Sequence, residues 1–127
     1  MENPVPLSPQ SQFETVALAD LEQMGPDGHD ALDFGVIGFG ADTIVQCYNT
    51  TEARMAGLAR DTVLGVPFFE AIAQCMNNFM VAQRFLDEPA LDDIIPYVLT
   101  LKMRPTRVRM RLLADPASRL RYILIER

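Results

Sequence analysis

The chain has 127 residues, 49% of them hydrophobic, enough for one folded domain whose core needs neither disulfides nor a structural metal. A net charge of −6 argues against nucleic acid as a partner, and two cysteines with one histidine are too few for a zinc pattern. The opening residues carry Glu2, Pro4, Pro6 and Pro9 instead of a basic start and an apolar stretch, and no apolar run reaches membrane-spanning length, so no membrane association and a cytoplasmic location are expected.

Ser11 followed by Glu14 reads as a capping box. Phe13, Val16, Ala17, Leu21 and Met24 then recur at helical spacing until Gly25-Pro26. The spacing predicts a short amphipathic N-terminal cap over residues 1–28, standing apart from a core over 29–127. Leu32 to Phe39 and Ile44 to Tyr48 are rich in β-formers and read as a hairpin turning at Gly40-Ala41-Asp42. Asn49 or Thr50 can cap a turn that carries Glu52. Helical pieces are expected at Asp61 to Leu64 and Phe68 to Ala73, and Asn77 to Leu86 is expected to be the longest helix of the core, stopped by Asp87-Glu88-Pro89.

From Ile94 the period changes to two: Ile95, Tyr97, Leu99, Leu101 and Met103 alternate with Ile94, Pro96, Val98, Thr100 and Lys102. Val108, Met110 and Leu112 then alternate with Arg107, Arg109 and Arg111, and Arg119 to Ile125 supplies a last strand. Charge follows the same division. Residues 1–100 hold 15 acidic and 3 basic side chains, whereas residues 101–127 hold 2 acidic and 8 basic. The arginine stripe has two readings, a solvated outer face or a surface on which the acidic N-terminal helix lies.

Three residues carry chemistry. Tyr48 and Glu52 lie four apart, the spacing that puts two side chains on one face of a helical turn, where both could donate hydrogen bonds to one buried anion. Cys75 follows the apolar run 66–73 and could anchor that anion covalently. Cys47 reads as a small apolar filler.

The stretch Tyr48-Asn49-Thr50-Thr51-Glu52, through Val63-Leu64-Gly65-Val66-Pro67-Phe68-Phe69 to Cys75, resembles the photoactive yellow protein family of blue-light receptors in the PAS superfamily. Asp30 to Ile37 and Met103-Arg104-Pro105-Thr106-Arg107-Val108 extend the resemblance from about Asp30 to the end of the sequence, with a small deletion between Pro89 and Tyr97. It implies a PAS fold, of the α+β class, with a five-stranded antiparallel sheet, helices on one face and an N-terminal helical cap. The element order β-β-α-α-α-β-β-β agrees with that fold.

The resemblance further implies p-coumaric acid as the chromophore, thioester-linked to Cys75, its phenolate held by Tyr48 and a protonated Glu52. Ile37, Ala56, Leu58, Phe68, Ile72, Leu99, Leu101 and Met103 would line the pocket, Met103 assisting the thermal return, although each is also a simple core residue. Light would isomerise the chromophore, Glu52 would protonate it, and the carboxylate left in an apolar seat would drive partial unfolding, with the N-terminal cap as the element released. Two positions depart from the family's pattern: an arginine over the pocket becomes Leu58, and a threonine behind the tyrosine becomes Ala56, leaving no cation at the pocket mouth.

Two other readings stand beside this one. A PAS interaction module could keep the site without a pigment and signal by dimerisation; in either case a downstream signalling protein is the expected partner, and a monomer or weak dimer is expected. An enzyme could use Cys75 as its nucleophile, but His29 sits far off in the cap linker and no Ser/His/Asp set is present. Haem would need an axial histidine in the core, and Gln74-Cys75-Met76 does not match the Asn-Cys-Arg of flavin photosensors.

Overall fold

The computed structural model describes residues 9–100 and 104–127. Its elements run α1 (Pro9–Thr15), α2 (Leu18–Asp30), β1 (Gly35–Phe39), β2 (Val45–Tyr48), α3 (Thr50–Ala56), α4 (Arg60–Val63), a π-helical turn (Phe68–Ile72), a 3-10 turn (Gln74–Met76), α5 (Ala82–Asp87), β3 (Leu91–Leu99), β4 (Thr106–Ala114) and β5 (Arg121–Glu126). The strands form one antiparallel sheet in the order β2-β1-β5-β4-β3. β1 lies inside that sheet and is buried at all five positions, which explains its nearly continuous apolar sequence.

Alternation along the strands divides the apolar side chains between two cores. Ile37, Phe39, Val108, Met110, Leu112, Ile123 and Ile125 face α3 to α5, and there Phe39 packs among Phe68, Phe69 and Phe85. Val36, Leu113, Tyr122 and Leu124 face the other way, onto Phe13 and Leu21 of the N-terminal helices. The expected PAS architecture is therefore present, with the cap forming its own layer.

The cap differs from the expectation in three ways. Ser11 lies within α1, and α2 starts at its N-cap Ala17, where the Asp20 carboxylate accepts from the Ala17 amide at 3.0 Å. Gly25 adopts φ 68° and breaks the helix, but Pro26 restarts it in the first-turn position that proline suits, so the supposed turn is confined to Gly25 and α2 continues to Asp30. Nor does the cap stand apart. Phe13 and Leu21 are fully buried, and His29, expected in a linker, is buried with its Nε2 2.7 Å from the Leu21 carbonyl, bracing the kink.

The arginine stripe supports the docked reading. Arg111 donates to the Phe13 and Val16 carbonyls at 3.1 and 2.6 Å and to Asp92, and Arg109 pairs with Glu14 while lying over the Phe13 ring. Arg107 stays exposed.

The expected long helix at 77–86 is the six-residue α5. Asn78 diverts the chain: its Oδ1 accepts from the Met80 and Val81 amides, closing a side-chain turn where a helix would otherwise have run. Strand β3 begins at Leu91, three residues before the change of period at Ile94.

Candidate functional site

Tyr48 closes β2 opposite Ile37 of β1, and the helix carrying Glu52 starts only at Thr50. The two residues therefore do not share a helical turn, as their spacing predicted; a strand-to-helix corner brings them together. Asn49 builds that corner. Its Oδ1 accepts from the Val36 and Glu52 amides at 2.9 and 3.0 Å, and its Nδ2 donates to the His29 and Phe34 carbonyls at 2.8 and 3.0 Å. One fully satisfied buried amide thus fixes the helix start, β1 and the end of α2 together.

Glu52 is 1% exposed. It fits because Gly35 lies against it: a Cβ built on Gly35 would stand 2.0 Å from Glu52 Oε1. Arg127, just past β5, completes the seat with a two-pronged pair, Nη1 to Oε1 at 2.7 Å and Nη2 to Oε2 at 3.1 Å. Both oxygens accept, the geometry of a carboxylate held by a guanidinium fork. The expectation of a purely apolar seat for Glu52 is corrected here. Leu58 carries no charge, but Arg127 reaches Glu52 from another element.

Burial pushes the Glu52 pKa up from its usual range, and the hydrogen bonds and charge of Arg127 pull it part of the way back. The Tyr48 phenol is held far above its usual value, first by burial and then by the negative charge of Glu52. Tyr48 therefore keeps its proton throughout the physiological range.

Cys75 lies in the 3-10 turn and is half-buried, packing against the core that contains Tyr48, Ile37, Phe68 and Leu99, with Leu58 and Ile72 beside it. Ala56 is buried near the end of α3. Leu101 and Met103 lie outside the described residues. The backbone of Cys75 is pinned: its carbonyl accepts from the Tyr97 hydroxyl at 2.7 Å and from Asn78 Nδ2 at 3.0 Å. Cys47 points to the cap side of the sheet, where burial pushes its thiol pKa up.

Arg127, Asn78 and Tyr97 were not singled out as site residues in the sequence. Asn77-Asn78 at the head of the supposed helix was the available signal for a capped turn. Arg127 has no local signal, because its partner lies 75 residues away.

The corner joins a phenol and a carboxyl at the edge of an apolar core. Tyr48 keeps its proton, Glu52 is an acid whose proton affinity burial raises, the surrounding core is apolar, and a thiol packs against that core. Photoactive yellow protein from Halochromatium salexigens is 30% identical over 95 residues, covering 72% of this chain and 76% of that protein. This chain belongs to the photoactive yellow protein family. The photoactive yellow protein domain of the sensor histidine kinase Ppr from Rhodospirillum centenum matches with a TM-score of 0.78 and 28% identity, over 86% of this chain and 98% of that domain. The PAS domain of BvgS from Bordetella pertussis, at 17% identity and a TM-score of 0.58 over 84% of both chains, shares the fold alone. No protein-family model matches. The chain is thus a PAS sensory domain of the photoactive yellow protein family, and among its described residues no helix is long and apolar enough to cross a membrane.

Proposed function

We propose that this chain is a blue-light receptor that binds p-coumaric acid as a thioester on Cys75, with Tyr48 and Glu52 donating hydrogen bonds to the phenolate. The observation that carries the proposal is the buried Tyr48–Glu52 corner within the core against which Cys75 packs. Loading is a thioester exchange: the Cys75 thiolate attacks the carbonyl of an activated coumaroyl thioester, the new C–S bond forms, and the carrier thiolate leaves. When bound, the pigment supplies a double bond that isomerises on absorbing blue light and a phenolate oxygen that can take up a proton.

The protein's residues do the rest. Tyr48 supplies a fixed O–H donor, and Glu52 supplies the movable proton. After giving it up, Glu52 is a buried carboxylate, an expensive species unless a cation stands beside it. The Arg127 fork is that cation. The signal has a short route outward, because Glu126, next to Arg127, pairs at 2.6 Å with Arg109, which pairs at 2.8 Å with Glu14 of α1. We take a downstream signalling protein as the partner and the cap as the responding element.

A pigment-free interaction module remains the second reading, favoured by the fact that Arg127 engages both Glu52 oxygens. Incubating the purified chain with activated p-coumaric acid separates the two. The receptor reading expects a visible absorption band that survives denaturation as a covalent adduct, a coumaroyl mass increase on the peptide holding Cys75, and bleaching in blue light. A chain that gains no mass, or a Cys75→Ser variant that gains the same mass, overturns it.

A further inference from the structure

The fork of Arg127 on Glu52 is absorbed by neither the sequence motif nor the family resemblance. Among the described residues, three hold Glu52 in its buried place. Gly35 of β1 lies against Oε1 with room for no Cβ, Asn49 holds the amide of Glu52, and Arg127 occupies both oxygens. The two side chains of the pair are 2% and 12% exposed, so water does little to screen it.

We propose that Arg127 is a positioning residue that sets the proton affinity of Glu52. It orients the carboxyl toward the end of β5, opposes its protonation, and stabilises the carboxylate left behind once the proton has gone. The charges facing Glu52 make this a simple competition. β1 contributes no titratable residue, β2 contributes Tyr48, α2 brings His29, whose ring is bonded to the Leu21 carbonyl, and Asp30, which is paired with Arg60, and the segment after β5 contributes Arg127. On α3 itself Arg54 is exposed. An opening of about 80 Å³ beside Arg127 is lined by Asp33 and Glu126, and Glu126 already accepts from Arg109. Burial and any nearby phenolate favour the acid form of Glu52, while Arg127 favours the carboxylate. Its reach from outside α3 means that anything displacing the end of β5 changes the acidity of Glu52.

This inference rests on the photoreceptor reading only for its consequence in the loaded protein; the effect on Glu52 stands without pigment. The first test therefore uses the pigment-free chain. Infrared titration follows the carboxylic carbonyl band, assigned to Glu52 by its loss in Glu52→Gln. Arg127→Gln is expected to raise the midpoint by about one to three pH units, the size of shift given by a close opposite charge. Arg127→Lys, which keeps the charge, should stay near the wild type and covers the case in which Arg127→Gln does not fold. A midpoint unchanged in Arg127→Gln, or a midpoint in Arg127→Lys raised by as much as the glutamine variant is expected to show, overturns the proposal.

In the loaded protein, a neutral Glu52 donates to the phenolate more readily. Arg127→Gln should then lower the pH at which the pigment's phenolate band is half developed. A rise in that midpoint would show that Arg127 acts on the pigment directly, and would also overturn the proposal. Failure of Cys75 to load would reject the photoreceptor reading while leaving the infrared result in force.

Discussion

Under α1 and α2 the sheet is held by large apolar side chains, Phe13, Leu21, Phe34 and Tyr122, with the buried guanidinium of Arg111 closing the carbonyls at the end of α1. Under α3 to α5 the covering layer is a set of short and irregular turns, and at its margin lies a buried acid whose cation comes from beyond the end of β5. The first face has several independent reasons to stay closed. The second holds a buried acid on which burial and the Arg127 charge act in opposite directions. A sensor needs both, a scaffold indifferent to the event and a site that registers it. The two meet at the end of β5, where Glu126 pairs toward the cap and Arg127 toward the pocket.

The comparison can be broken most directly by truncating the cap. Phe13→Ala removes a fully buried ring and should cost about 3–5 kcal/mol by urea unfolding, with loss of cap protection against proteolysis. An effect no larger than that of Cys75→Ser, on the half-buried pocket turn, would show that the cap is not a second core. Arg111→Met keeps the apolar stem but strips the donors from the Phe13 and Val16 carbonyls. It should cost about 2 kcal/mol and expose α1 to protease before the sheet unfolds.

On the pocket face the expected signature is pH dependence. Burial raises the folded-state pKa of Glu52 above its usual 4.5, so the folded state binds this proton more tightly than the unfolded state. The stability this contributes is fully present below that usual value and is lost as pH rises through the raised one. Between those limits the wild type should lose stability with rising pH relative to Glu52→Gln, measured by urea unfolding at acid and neutral pH. Parallel curves for the two proteins would contradict it. The smallest effect is expected at Arg109, which is 43% exposed in pairs with Glu14 and Glu126. Arg109→Gln should leave the unfolding midpoint within experimental error in moderate salt, because solvent screens such pairs.

The strands were legible because alternation reports which face is buried, and the alternation of Ile95, Tyr97 and Leu99 against Ile94 separates the two cores as read. The cap's apolar face was legible for the same reason at Phe13, Val16, Leu21 and Met24. Its layout was not, because Gly25-Pro26 is a stop signal and a restart signal at once, and local chemistry does not choose between them. The segment 77–81 was misread because the apolar spacing hid an asparagine able to replace backbone hydrogen bonds. At the candidate site, the spacing of Tyr48 and Glu52 was read as one helical turn, whereas the two residues flank a strand-to-helix corner. Arg127 was invisible, since only the folded sheet sets the residue after Glu126 beside Glu52.

The most direct test is a light-minus-dark infrared difference spectrum of the pigment-loaded protein, with Glu52→Gln as the control. The account predicts that blue light removes a carboxylic acid carbonyl band and adds a carboxylate band, and that both are missing in Glu52→Gln. Pigment bleaching with no carboxyl change, or with the same change in Glu52→Gln, would contradict it.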